Sequence, residues 1–118
     1  MKTLVLGASP KPNRYSYQAV ERLISANHSV IALGFQSGKI FDKDIFTVKK
    51  QWKDIDTISL YLNPRRQEEY YDYILSLTPR RVLFNPGTEN PNFESILEEQ
   101  GIKAERACTL VLLATNQY

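Results

Sequence analysis

The sequence predicts an α/β fold of the Rossmann type: a three-layer parallel sheet of five main strands with helices on both faces. Three observations predict it. Short apolar runs with little alternation recur at 3–6, 30–33, 57–62 and 81–84, and such runs are strands covered on both faces, as in parallel sheets. Segments with the i, i+3, i+4 apolar spacing of an amphipathic helix lie between them. Loops rich in glycine, proline and asparagine follow the strands, at 7–16, 34–39, 63–64 and 85–90. Ligands of open parallel sheets bind outside the carboxyl ends of the strands, so this placement gathers four loops at one shared site.

The bulk figures narrow the function classes. A chain of 118 residues, 42% hydrophobic and 24% charged, is one soluble domain spanning 1–118. A net charge of +2 is too small to argue for nucleic acid. One cysteine excludes an internal disulfide and a cysteine metal cluster, and no metal-ligand spacing occurs. No run approaches the roughly 20 apolar residues of a membrane span. No charged-then-apolar leader precedes the first strand, so the expected location is cytoplasmic.

Taken in order, the first strand ends at Gly7. A turn follows through Ala8, Ser9, Lys11, Arg14 and Tyr15, and a helix over 16–27 opens with Ser16 as its N-cap. Ala19, Val20, Leu23 and Ile24 form its buried face, and His28 lies just beyond it on the surface. The second strand, 30–33, leads into Gly34, Phe35, Gly38 and Lys39. Residues 40–54 alternate loosely and fit a short edge strand or a helical turn, with lysines guarding a sheet edge. The third strand, 57–62, stops at Asn63 and Pro64. A helix from Arg65 to Leu77 follows, its stripe formed by Tyr70, Tyr71, Ile74, Leu75 and Leu77. The fourth strand ends at Asn85, Pro86 and Gly87. The next helix has Asn90 as N-cap, Pro91 in its first position, Phe93, Ile96 and Leu97 inward, and Gly101 as its stop. A fifth strand over 103–107 and a short apolar helix over 109–114 complete the pattern, the exposed part of that helix being a candidate homodimer or partner surface. Right-handed crossovers point to the strand order 3-2-1-4-5, with 57–62 as the third strand.

The first turn has the chemistry of a phosphate cradle. A helix start presents free N–H groups and the positive end of the helix dipole to an anion. Lys11 and Arg14 add charge, and Ser9 and Ser16 add hydroxyl donors. The dinucleotide fingerprint is incomplete: Ser9 stands where a second glycine belongs, and no acidic residue ends the second strand to hold a ribose. That disfavours NAD more than NADP. The G-x-x-x-x-G-K-[ST] phosphate loop of ATPases is absent.

Gly7-Ala8-Ser9, Lys11-Pro12, Arg14-Tyr15-Ser16, Gly38, Asn63-Pro64, Asn85-Pro86-Gly87 and the late Cys108 together resemble the small stand-alone CoA-binding proteins. These are similar to the N-terminal CoA-binding domain of the succinyl-CoA synthetase alpha subunit. The resemblance implies coenzyme A or an acyl-CoA lying across the strand ends. Ser9, Lys11, Arg14, Tyr15 and Ser16 would contact the diphosphate and 3′-phosphate region, with help from Lys39. Asn63 and Pro64 would border adenine or ribose, and Asn85, Pro86 and Gly87 would face the pantetheine arm. The family often has Asn-Pro after its second strand, where this chain has Gly34-Phe35.

No catalytic constellation is visible. The single histidine is remote from the loops, and Glu89 is the best-placed acid or base in them. Cys108 reads as a buried structural thiol, with a mixed disulfide to the CoA thiol as the reactive alternative. The expected function is non-catalytic binding of CoA or an acyl-CoA. The competing readings are a small flavin- or NADP-dependent reductase and an interaction domain with a vestigial nucleotide site.

Overall fold

The computed structural model describes residues 2–118. Its strands are β1 (Lys2–Ala8), β2 (Ser29–Gly34), β3 (Lys39–Ile40), β4 (Lys43–Phe46), β5 (Ile55–Leu60), β6 (Arg81–Phe84) and β7 (Lys103–Arg106). Its helices are α1 (Tyr15–Ser25), α2 (Pro64–Gln67), α3 (Tyr71–Leu77), α4 (Pro91–Glu99) and α5 (Thr109–Ala114), with a 3-10 turn over Glu68–Tyr70 between α2 and α3. One sheet runs β3-β4-β2-β1-β5-β6-β7. All pairings are parallel except β3 with β4.

The α/β class, the parallel sheet and the helices on both faces are as the sequence predicts; the strand count rises from five to seven. The order needs a correction. The strand expected as third, now β5, lies directly beside β1. The Rossmann order 3-2-1-4-5 appears only when β4 is counted third. β4 comes from the loosely alternating stretch, and it is hard to read because it pairs with β2 through only Ala32–Ile45 and Leu33–Phe46. Its one buried side chain is Ile45.

Strand alternation divides the core between two faces. Leu4 and Leu6 of β1 point with Ile58, Leu60, Val82 and Phe84 toward Ile74 and Leu77 of α3 and Phe93 and Leu97 of α4. Tyr71 stacks on Phe93, centroids 4.1 Å apart, and joins those two helices. Val5 points the other way, with Val30 and Ala32, toward Val20 and Leu23 of α1. Each such side chain taken fully out of water contributes about 1.5–3 kcal/mol. The helix expected over 65–77 is broken by the 3-10 turn, which rotates the apolar stripe. Tyr73 is therefore buried while Tyr71 and Leu75 are only partly so.

On the α1 side the sheet is not uniformly apolar. Thr3, Thr57, Ser59 and Arg81 are buried. Arg81 Nε donates to Thr57 Oγ1 at 3.0 Å, Thr3 pairs with the Tyr118 hydroxyl, and the Arg81 guanidinium sits 4.9 Å from the centre of the Tyr118 ring. Burying polar groups is costly unless they are bonded, so these contacts tie the segment after α5 to the sheet.

Candidate functional site

The first turn is shaped by Gly7, whose φ is +98°. A Cβ there would come within 3.0 Å of the Leu62 side chain and 3.1 Å of the Tyr61 carbonyl carbon. Both the left-handed backbone and the close approach of the β5 exit require glycine. After Gly7 the chain turns through Ser9, whose Oγ accepts from the Lys11 N–H at 3.2 Å. The Arg14 N–H donates to the Lys11 carbonyl at 3.0 Å.

The helix begins one residue before the expected point. Arg14, not Ser16, occupies the N-cap position of α1, and Ser16 is buried inside the first turn. The reason is backbone geometry: Arg14 is extended (φ −84°, ψ 142°) and residues from Tyr15 onward are helical. No side chain caps this helix and no acid occupies its first turn. Lys11, Arg14 and Tyr15 are exposed, and neither cation forms an ion pair among the described residues. The chain therefore sets positive side chains at the positive end of a helix, an arrangement unfavourable by itself and favourable once an anion arrives.

The other loops meet this turn. Gly34 is fixed by packing: a Cβ there would fall 2.0 Å from the Ala8 carbonyl oxygen, so β2 approaches β1 closely for reasons independent of any ligand. Gly38 touches Pro10 of the first turn, where a Cβ would lie 2.6 Å from the proline Cβ. Lys39, expected in a loop, is instead on edge strand β3, facing Asp44 at 3.3 Å across the hairpin. Both side chains are largely exposed, so this pair contributes little and leaves Lys39 free to swing.

Asn63 caps α2, its Oδ1 accepting from the Arg66 N–H at 2.9 Å, and Pro64 takes the first helical position. These two build a helix start, beside an open cleft of about 570 Å³ lined by Asn63, Arg65 and Arg66 and also by two acids, Glu68 and Glu69. The Arg66 guanidinium lies 4.5 Å from the centre of the Phe35 ring. Phe35, Arg65 and Arg66 are absent from the sequence-based site. Arg65 and Arg66 are visible as residues, but the four-residue α2 carries no dipole signal; what marks Arg66 is its contact with Phe35.

Asn85 is buried and fully used. Its Nδ2 donates to Ser59 Oγ at 3.0 Å and to the Leu60 carbonyl at 2.9 Å, and its Oδ1 accepts from the Thr109 N–H at 2.8 Å. It positions the ends of β5 and β6 and the start of α5 rather than offering a polar group outward. Pro86 and Gly87 are exposed. Gly87 has φ +93°, and its N–H is bonded by Glu89 Oε1 at 2.9 Å. Glu89 thus has a structural task within its own loop. Gln67 ties this loop to the β5 exit, donating to the Leu62 and Thr88 carbonyls, both at 2.8 Å.

Tyr15, Tyr61, Pro86 and Cys108 come from the first turn and from the exits of β5, β6 and β7. They meet with Leu110 and Val111 of α5 around a cavity of about 380 Å³. Burial pushes the Tyr61 hydroxyl up to about 12, against the opposing effect of hydrogen bonds with Ser59 and Thr109. Cys108 is half-buried at the wall of this cavity, rather than sealed in the core as a purely structural thiol would be. His28 packs edge-on against Tyr118, 5.1 Å between centroids. No group of three or more His, Cys, Asp or Glu able to hold a metal occurs among the described residues. No helix among them is long and apolar enough to cross a membrane.

A family model described as a CoA binding domain matches residues 1–114. The chain belongs to the CoA binding domain family. Among solved structures, one of an uncharacterized protein is 48% identical, with a TM-score of 0.97, covering 99% of this chain and 97% of that one. A Thermus thermophilus protein shares the fold at 22% identity and TM-score 0.86, covering 99% and 90%. A conserved hypothetical protein from Pyrococcus furiosus does so at 22% and 0.82, covering 93% and 97%. No functionally curated protein matches the chain. The strand order reverses at β1, the position at which open parallel sheets bind their ligands.

Proposed function

We propose that this protein is a non-catalytic binding module for coenzyme A or one of its thioesters. The start of α1 carries the reading: an uncapped helix N-terminus with no acid in its first turn, flanked by Lys11 and Arg14. Free N–H groups and two exposed cations suit a diphosphate, to which charge-assisted hydrogen bonds are the strong kind. Ser9 and Tyr15 border the same turn, and Lys39 would join them by leaving its exposed partner Asp44. Arg65 and Arg66 add positive charge for the 3′-phosphate, and the Phe35 ring offers a flat face for adenine. Pro86 and Gly87 form an exposed ledge along which the pantetheine arm would run. Asn63 and Asn85 support the site through the hydrogen bonds that hold its loops. The family match favours CoA over NADP and flavin.

The test is calorimetric titration with CoA, dephospho-CoA, NADP, NAD and FMN, alongside melting. CoA is expected to bind, and dephospho-CoA more weakly. A ligand confined to the native state stabilises by about 2.7 kcal/mol at a hundredfold excess over Kd, and CoA should do so. Stabilisation by NADP or FMN in its place would overturn the choice of ligand. No response to any of them would leave an interaction domain with an empty site.

A further inference from the structure

Resting on that reading, we propose that the natural ligand is an acyl thioester of CoA, and that the cavity between the first turn and α5 receives its acyl group. The cavity continues the cradle: Tyr15 belongs to the first turn and Pro86 to the ledge assigned to pantetheine, and both line it. Its chemistry differs from that of the cradle. Tyr61, Pro86, Leu110 and Val111 contribute apolar surface, and no charged residue lines it. The one side-chain amide in its wall, that of Asn85, is already bonded at both ends. Cys108 adds a soft, weakly polar wall. A free thiol entering this space would leave most of the apolar wall without a partner, whereas an acyl group removes that surface from water. At about 380 Å³ the cavity lies at the small end of ligand pockets, suiting a short acyl group. An occupant that reaches it from the cradle is attached to the CoA arm, which distinguishes it from a second copy docking on the exposed face of α5.

The experiment compares Kd for CoA, acetyl-CoA, butyryl-CoA and sodium butyrate on the full chain. Full burial of each methylene tightens binding about fourfold, the equivalent of ~0.8 kcal/mol. Butyryl-CoA, two methylenes longer than acetyl-CoA, should therefore bind up to about sixteenfold tighter than acetyl-CoA and more tightly still than CoA, and butyrate alone should not bind in the millimolar range. Val111 is 56% exposed and outside the cradle, so Val111→Trp, which fills the cavity mouth, and Val111→Asp, which charges it, should both fold. Each should bring butyryl-CoA to the affinity of CoA and leave CoA binding unchanged. Equal or weaker binding of acyl-CoAs by the wild type overturns the inference while the CoA reading stands. An acyl preference that survives both variants also overturns it, as does tight binding of butyrate alone. Failure of every CoA compound to bind removes the CoA reading and this inference together.

Discussion

Two helices start at the same edge of the sheet and are built in opposite ways. At α4, Asn90 Oδ1 accepts from the Phe93 N–H at 3.2 Å, Glu94 Oε2 accepts from the Asn90 N–H at 2.8 Å, and Pro91 fills the first helical position. The chain satisfies that helix end itself and puts an acid where the dipole favours one. At α1 there is no side-chain cap, no acid in the first turn, and a cation on the N-cap residue. α2, a single turn of four residues, lies between them, capped by Asn63 and carrying Arg65 and Arg66. One start is closed for stability; the other forgoes about 1 kcal/mol of capping and keeps its donors for something outside the chain.

The most forceful way to break that comparison is to remove the cations from the open start. Lys11→Ala with Arg14→Ala should weaken CoA binding by about a hundredfold or more, since each hydrogen bond to a charged group contributes about 1.5–3 kcal/mol. Calorimetry reads the affinity and denaturant titration reads the stability of the free protein, which should not fall. If affinity is retained, the open start is not where the anion sits. The mirror experiment is Asn90→Ala at the closed start. It removes the cap and also takes a donor from Gln67 Oε1 and from the Tyr71 hydroxyl, each 2.9 Å from Asn90 Nδ2. A loss of about 3 kcal/mol is expected in urea unfolding, with CoA affinity within threefold of wild type under conditions where the variant is folded.

The closed start was the more legible of the two in the sequence. Asn90, Pro91 and Gly101 are local signals, and each acts within its own helix turn. Gly7 was legible as the residue that ends the first strand, though its close pass of the β5 exit was not. What escaped depends on contacts between distant segments. β4 is a strand only because Ala32 and Leu33 offer it a partner. Asn85 looks like an outward loop residue until Ser59, Leu60 and Thr109 are placed around it. The break between α2 and α3 moved Tyr73 inward, and an unbroken helical period conceals such a shift. Arg65 and Arg66 were visible as residues, but their meaning depends on the first turn of α2 lying beside Phe35 at the exit of β2.

A single substitution can convert the open start into the closed kind. Arg14→Asp gives α1 an N-cap side chain able to accept from its own first-turn N–H groups and places a carboxylate at the positive end of the dipole. The free protein should gain about 1 kcal/mol, read as a rise in melting temperature, and CoA should no longer stabilise it. A variant that is more stable and does not bind is the outcome the comparison requires. A variant that is less stable would mean that the Arg14 side chain supports the fold.

Acid separates the two uses of charge, with the smallest effect on the fold. Arg80 holds Asp56 through Nε at 2.9 Å and Nη2 at 3.1 Å, and this bond keeps the Asp56 carboxyl below its ordinary 3.8. A carboxylate whose folded value is depressed stabilises the protein above its unfolded value, and that contribution disappears as pH falls through the folded one. Arg80 is more than half exposed, so screening limits the pair to below about 1 kcal/mol. The loss is confined to pH below about 4, and Asp56→Asn should flatten the melting temperature there by a few degrees or less. Ligand binding should respond in a different window. A phosphate monoester such as the 3′-phosphate loses its second charge near pH 6, so CoA affinity should fall between pH 7 and pH 5 while the fold is intact, and Asp56→Asn should leave that fall unchanged. If affinity stays flat across that interval, the doubly charged phosphate is not what the cations of α1 and α2 read. The cradle would then hold the diphosphate alone, whose charge is constant over the same range.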